Sequence, residues 1–559
     1  MIFDVNKRSY RRDIDAYMVL HIIVIYFNIW ISGKALAFRD HCTAGTLMDQ
    51  RKIDELHARR EAVRTATPAS AIDKLREQGK LTARERIALL LDDGSFVEMG
   101  VHAHSAHPSL RERTPADGIV TGHGTIDGRI VYVAADDASV LGGTRGRVGE
   151  IKIARMREAA LRHRKPFIAL MEAGAARVQE SFGAMAANMG ARFADHFRLS
   201  GQVPQLAAIL GPAFGGPSFT AAQSDFTALA RGTGVMGMSG PLVVKVGTGE
   251  SVTAEAIGGA DVSETVTGQA DYVGETEVDT LRSLRTFLSF LPSHSGELPP
   301  VANAQPAALD TAEGREKLRA LIPDVGRQAY DMKRVLGLIV DAGDLFHYRP
   351  RYGPNLITAF GRIDGQPVGF VASNPMARGG VMDEKTAQKA RKFVDLCDAF
   401  HIPLVFICDA PGFLVGPEIE KHRMVSLAAR LLNTVCAASV PKITIVARKA
   451  IGLAYLAMCG RAMRPDYLAA WPGAHFDVMG PEAGVELVYG RDIAAAPDPA
   501  ARKAEIMARL DEQSSAYEAA AQGWIDDVID PAETRDAIRR ALAASSDSRQ
   551  PGFKHRIDP

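Results

Sequence analysis

GPAFGGPSFT, from Gly211 to Thr220, and RKAIGLAYLA, from Arg448 to Ala457, are one local construction met twice: an apolar run, a glycine, then small residues compatible with a helix. Gly452 follows Gly215 by 237 residues (452 − 215). The same separation joins GTIDG at Gly124–Gly128 to GRIDG at Gly361–Gly365, and Gly142-Gly143 to Gly379-Gly380. It also joins Pro166 to Pro403, Glu172 to Asp409, and Val203-Pro204 to Val440-Pro441. Single Gly or Pro matches mean little, but six landmarks at one spacing point to an internal duplication. Beyond the turns, Met238–Gly240 pairs with Val478–Gly480 only after a small shift.

Each half reads alike. A hairpin is expected at Asp127-Gly128 and at Asp364-Gly365, because Asp-Gly suits a tight strand reversal. Helices are expected over Glu150–His163 and Glu384–Phe400, followed by the apolar strands PFIAL and PLVFIC. These strands lack alternation, as in a sheet buried on both faces by helices. The pattern is a β-α-β repeat in an α/β fold. PSHSGELPPVANAQPAALD, Pro292 to Asp310, is rich in Pro, Ala and Ser and reads as a linker. The expected division is therefore 1–47 an atypical extension, 48–291 an N-terminal domain, 292–310 the linker and 311–559 a C-terminal domain.

A chain of 559 residues exceeds a single core, so domains of roughly 150 to 250 residues are expected. Its 66 basic and 66 acidic side chains balance, and only 7% of residues are aromatic. That composition lacks the basic, stacking footprint of a nucleic-acid binder and favours a small-molecule substrate. The five cysteines form no CxxC pair, so neither a zinc ribbon nor a disulfide framework is indicated. Cys397, Cys408 and Cys436 lie in apolar runs and read as small core residues. YMVLHIIVIYFNIWIS, Tyr17–Ser32, is apolar but shorter than the ~20 residues of a spanning helix and carries His21 and Asn28. Met48 is the expected true start, opening a charged amphipathic helix; a membrane anchor is the rival reading. A cytoplasmic location is expected.

At a strand-to-helix turn the first backbone N–H groups have no intrahelical partner and can face developing negative charge. Glycine permits close approach and Pro217 has no N–H, so Gly215 and Gly216 are the expected donors of the first turn. A closely packed helix start without a ligand is the plainer alternative. No Gly-x-Ser-x-Gly elbow, His-Glu-x-x-His helix or Walker loop occurs; GGTRGRVG at Gly142–Gly149 lacks the Gly-Lys-Ser/Thr ending. Glu172, Arg177 and Glu180 are acid-base candidates, although such spacing more often forms a paired helix face.

From Met48 onward the chain resembles the carboxyltransferase (beta) subunits of biotin-dependent acyl-CoA carboxylases. The resemblance rests on GKLTARERIALLLDDGSFVEMG (Gly79–Gly100), DGIVTGHGTIDGR (Asp117–Arg129), GAARVQE (Gly174–Glu180), YDMKRV (Tyr330–Val335), DAPGFLVG (Asp409–Gly416) and AWPGAHFDVMG (Ala470–Gly480), in this order. It implies two duplicated crotonase-like domains, each a β-sheet core flanked by helices, assembled as a homodimer or homohexamer core. It implies CO2 transfer from carboxybiotin, on a separate carrier, to the α-carbon of an acyl-CoA through an enolate held in backbone oxyanion holes. By position, Gly215 and Gly216 would hold the enolate, and Leu453 and Ala454 the ureido oxygen of biotin. Gly174, Ala175, Ala176, Arg177 and Leu456 would contact the acyl-CoA; Gly452, Gly412 and Phe413 would contact biotin. Sites would lie between the N half of one subunit and the C half of its partner.

Three departures from the resemblance stand out. Gly452-Leu453 replaces a frequent Gly-Gly, EKHRMVSLAARLL (Glu420–Leu432) replaces an Arg-His-Gly-Ala-Lys run near biotin, and Leu456 replaces an acidic residue that helps set acyl choice. No Ala-Met-Lys-Met biotinylation sequence and no ATP-binding glycine loop is present, so a biotin carboxylase and a biotin carrier are expected as partner subunits, with no bound metal, no nucleic acid and no membrane. The competing functions are a biotin-linked decarboxylase and a non-catalytic assembly subunit.

Overall fold

The computed structural model describes residues 49–188, 191–323, 326 and 328–559. Residues 1–47, with the apolar stretch Tyr17–Ser32, lie outside them. The chain forms two units, residues 1–64 and 65–559. The first is represented by the helix Gln50–Arg64, of which no residue is buried, so the expected amphipathic helix has no apolar face in use. Among the described residues no helix is long and apolar enough to cross a membrane.

The second unit holds two eight-stranded sheets of one design. The first contains β1 (Val97–Met99), β2 (Ile119–Ile126), β3 (Arg129–Asp136), β4 (Phe167–Ala173), β5 (Gln205–Phe214), β6 (Phe226–Ala230), β7 (Val235–Gly237) and β8 (Tyr272–Gly274). The second contains β9 (Phe346–Tyr348), β10 (Leu356–Ile363), β11 (Gln366–Ser373), β12 (Leu404–Ala410), β13 (Lys442–Ile451), β14 (Tyr467–Ala470), β15 (His475–Asp477) and β16 (Asp527–Val528). Strand order is β1-β2-β3-β4-β5-β6-β8 with β7 beside the end of β5, and β9-β10-β11-β12-β13-β14-β16 with β15 beside the end of β13.

Register repeats as well as order. Phe167 faces Gln205 and Leu404 faces Lys442, each pair 237 residues from its counterpart (404 − 167, 442 − 205). At the turn, Phe214 faces Gly237 and Ile451 faces Asp477. The separation of Gly237 from Asp477 is 240 (477 − 237), so three additional residues in the second copy account for the small shift seen in the sequence.

The expected hairpins form because both Asp-Gly pairs take positive φ: +50° and +74° at Asp127-Gly128, +52° and +79° at Asp364-Gly365. A carboxylate closes each one. Asp92 accepts the N–H groups of Asp127 (3.1 Å) and Gly128 (2.9 Å), and Asp341 those of Asp364 (3.0 Å) and Gly365 (2.7 Å). The long helices occupy Arg147–His163 and Glu384–Ala399. Each sends a buried lysine at the equivalent place to backbone carbonyls, Lys152 to Ala116 (2.8 Å) and Lys389 to Leu356 (2.7 Å).

β4 and β12 are buried along their whole length, which explains their lack of alternation. The cores of the two sheets meet: Phe226 stacks on Phe287 at 4.2 Å, and Phe287 and Phe290 reach Phe360 of the second sheet at 5.6 and 5.5 Å. Cys397 and Cys408 are buried, as expected, but Cys436 is exposed. Its helix, Met424–Ala437, buries Met424, Leu431 and Val435, and one further residue of helical rotation carries position 436 off that face.

Candidate active site at the strand ends

β3, β4, β5 and β6 run parallel, so the loops leaving their C-terminal ends emerge along one edge, where open α/β sheets bind ligands. Ala173 faces Ala213 across β4 and β5, and Ala410 faces Ala450 across β12 and β13. The sheet thus brings Gly174–Ala176 beside the Gly215 turn, and Gly412–Phe413 beside the Gly452 turn. These two loops are themselves counterparts. Arg145 N–H donates to Ala175 C=O (3.0 Å), and Met382 N–H donates to Gly412 C=O (3.0 Å), 237 residues on in both partners (382 − 145, 412 − 175). Ala175 sits at φ +73° and Gly412 at +135°, backbone regions costly for a side chain.

Gly215 has φ +66° and ψ −125°, a conformation essentially restricted to glycine, and precedes the helix Gly216–Ala222. Its N–H donates to Gly237 C=O at 3.1 Å, so the donor expected at Gly215 is already committed to the sheet; β7 lies alongside and takes it. Gly216, the first helical residue, retains an N–H without an intrahelical partner. Ser218 ties the turn down, its hydroxyl accepting Gly237 N–H at 2.9 Å. In the second copy Gly452 has φ +57° and opens the helix Gly452–Ala457. Leu453 is 61% exposed, Ala454 is buried and Leu456 half-buried. Ala454 is the counterpart of Pro217 (454 − 217 = 237), so this turn keeps an N–H that the first one lacks.

Arg177, expected to contact the acyl-CoA, faces inward. It is buried, with Nη1 2.5 Å from Asp117 and 2.8 Å from Glu180, and Nη2 donating to Thr144 C=O at 3.0 Å. Burial opposes its charge, but the two carboxylates outweigh that and raise its pKa. Gly146 leaves the space it fills. Glu180 also accepts from Arg147 N–H and the Ser105 hydroxyl. Burial tends to raise the Glu180 pKa, yet those bonds and Arg177 hold it below the ordinary value. Arg177 and Glu180 thus pair with each other and with Asp117, Arg147 and Ser105.

Glu172 is buried and held by Lys80 (2.9 Å) and Arg86 (2.6 Å); Arg86 also grips Glu277 at 2.6 Å. Its counterpart Asp409 is held by Arg448 at 2.9 Å. Lys80 and Arg86 belong to the quoted segment GKLTARER, but nothing local in it signals a partner 92 residues away. Among the described residues no cluster of His, Cys, Asp and Glu could hold a metal ion.

Residues 74–557 match the carboxyl transferase domain. The chain belongs to the carboxyl transferase family. It is 38% identical to the methylmalonyl-CoA carboxyltransferase 12S subunit of Propionibacterium freudenreichii subsp. shermanii, over 90% of this chain and 96% of that one. It is also 38% identical to the methylmalonyl-CoA decarboxylase subunit alpha of Veillonella parvula, over 90% and 97%. The crystal structure of transcarboxylase 12S, a hexamer with methylmalonyl-coenzyme A and methylmalonic acid bound, superposes with a TM-score of 0.85 at 38% identity, covering 91% of this chain and 98% of that one. The carboxyltransferase is accordingly an enzyme with the duplicated crotonase-like fold that the sequence motifs implied.

Proposed function

We propose that this carboxyltransferase moves a carboxyl group between biotin, borne on a separate carrier protein, and the α-carbon of an acyl-CoA. The observation that carries the reading is the repeated strand-turn-helix at the sheet edge, each copy presenting backbone N–H groups at a helix start. Bound biotin supplies the carboxyl group and the base for the α-proton. The chain's own part is electrostatic. Gly216 N–H, at a helix N-terminus, meets the enolate oxygen of the thioester, while Leu453 and Ala454 N–H groups meet the urea oxygen. Neutral amide donors fit both oxygens, and a preorganised donor of this kind is worth roughly 10²–10³-fold in rate.

Residues 48–291 form the acyl-CoA half, 311–559 the biotin half and 292–310 the connection. Gly174–Ala176 line the thioester, Gly412 and Phe413 the biotin, and Leu456 the acyl chain, where an apolar side chain favours an apolar acyl group. Assembly into a larger core is supported by Met238, Leu242 and Val246 near the first turn and Val478, Leu487 and Val488 near the second, each at least 67% exposed.

The test is carboxyl transfer from methylmalonyl-CoA or malonyl-CoA to free biotin by the purified chain. No transfer across a panel of acyl-CoAs refutes the proposal. The competing decarboxylase reading uses the same site in reverse, and co-purification with an ATP-dependent biotin carboxylase rather than a membrane pump separates the two directions.

A further inference from the structure

At one place the two copies meet the same demand by different means. The ladder between β4 and β5 skips from Met171–Ile209 to Ala173–Ala213, leaving Leu210, Gly211 and Pro212 opposite Glu172. That between β12 and β13 skips from Cys408–Val446 to Ala410–Ala450, leaving Ala447, Arg448 and Lys449 opposite Asp409. Such a bulge strips backbone groups of their ladder partners. In the first copy Pro212 has no N–H to satisfy. Gly211 has no side chain, and the Glu172 carboxylate fills the space a Cβ there would take before turning to Lys80 and Arg86.

In the second copy Lys449 has an N–H, and Asp409 Oδ1 accepts it at 3.3 Å while Oδ2 accepts Arg448 Nε at 2.9 Å. The Cys408 thiol donates to Lys449 C=O at 3.4 Å. Arg448 lies 4.5 Å over the Tyr330 ring and donates to Gln328 C=O at 2.8 Å. Gly452 follows Lys449 at once after Ala450 and Ile451.

We propose that Asp409 is a positioning residue for the biotin-side turn: by fixing the bulge Ala447–Lys449 it sets where the Gly452–Ala454 N–H groups stand. In the acyl-CoA half Pro212 makes the same bond unnecessary, because it offers no N–H for Glu172 to accept. The assignment of the turn to biotin rests on the function proposed above; the anchoring itself does not.

The experiment uses the full-length chain and three variants: Asp409→Ala, Asp409→Asn, and Asp409→Ala combined with Arg448→Gly and Lys449→Pro, which gives the second bulge the Gly-Pro backbone of Gly211-Pro212. Hydrogen exchange is read at residues 449–454 and 211–216. Kinetics with free biotin are read beside calorimetry with methylmalonyl-CoA. Asp409→Ala should accelerate exchange about tenfold or more at the second turn and leave the first unchanged. The kcat/KM for biotin should fall about tenfold, with acyl-CoA affinity within about twofold of the parent. Asp409→Asn, which keeps an acceptor for Lys449 N–H, should lose less, and the triple variant should regain protection at 450–454.

Equal loosening of both turns, a parallel loss of acyl-CoA affinity, or a triple variant no better protected than Asp409→Ala would overturn the proposal. If Asp409→Ala does not fold, Asp409→Asn and the triple variant decide on the same readouts. A parent chain that transfers no carboxyl group refutes the proposed function, and the exchange data then still test the anchoring.

Discussion

Replacing Ala454 by proline gives the second turn the donor set of the first. Proline already occupies the equivalent place at Pro217, and both positions are buried in their copies. The substitution deletes one N–H from the first turn of the helix Gly452–Ala457, where that group has no intrahelical partner, so no helical hydrogen bond is lost. The added ring atoms enter a filled site, for which overpacking costs about 1–3 kcal/mol of stability. Loss of one oxyanion donor should be felt in the reaction at roughly 10²–10³-fold in kcat, about 2.7–4 kcal/mol of barrier. The assay is carboxyl transfer from methylmalonyl-CoA to saturating free biotin, normalised to the folded fraction from urea denaturation. Calorimetry should show acyl-CoA affinity unchanged. A folded variant retaining more than about a tenth of the parental kcat would refute the role given to Ala454 N–H.

The duplicated hairpins supply an internal control. Asp341 is fully buried and also pairs with the buried Arg535 (2.7 Å), so Asp341→Ala should cost about 3–5 kcal/mol. Asp92, part-exposed beside Arg285, should cost only about 1–2 kcal/mol, and equal losses in urea denaturation would contradict the burial argument. Burial raises the Asp225 carboxyl to about 7, against the backbone N–H of Gln205 and nearby Lys392. Its folded pKa lies above the ordinary 3.8, so its stabilising protonated form is complete below about pH 4 and is lost as pH climbs through about 7. Asp225→Asn should therefore match the parent near pH 4 and exceed it at about pH 8 by up to about 4 kcal/mol; denaturation curves at both pH values check this. Arg177→Met should destabilise by about 3–5 kcal/mol through the stranded Asp117, with acyl-CoA affinity of the folded protein retained.

The duplication was readable because its landmarks occupy backbone positions with few tolerated residues. Asp127, Gly128, Gly142, Gly143 and Gly215 all have positive φ, as do Asp364, Gly365, Gly379, Gly380 and Gly452. The register could be carried along between them, and the unbroken apolar strands gave the doubly covered sheets. What stayed hidden depends on strand order. Whether Gly215 N–H is free is decided by β7, which follows β6 in the chain yet lies beside the end of β5. Arg177 turns inward because Asp117, sixty residues earlier by sequence (177 − 117), ends up beneath it. Cys436 lies in an apolar run, and only the particular rotation of its helix exposes it.

The two copies also agree on something that their residues conceal. Each turn proposed to hold an anion stands next to a strand whose end carries a carboxylate, Glu172 on β4 and Asp409 on β12. An uncompensated negative charge there, in a low-dielectric interior, would oppose the developing oxyanion and weaken every amide donor at the turn. Both copies neutralise it inside the fold: the first with Lys80 and Arg86 from a distant segment, the second with Arg448 from the bulge itself. The cations differ in origin because the bulge residues differ, Gly211 offering no side chain where Arg448 offers a guanidinium. Neutralising the carboxylate is thus the shared requirement, and it makes Arg86 and Arg448 electrostatically equivalent although no alignment of the halves pairs them. Arg86→Met should accordingly depress the reaction by leaving Glu172 under-compensated, and adding Glu172→Gln to it should recover part of the lost kcat without restoring the Glu277 contact. A double variant as slow as the single one would show that Arg86 serves the fold alone.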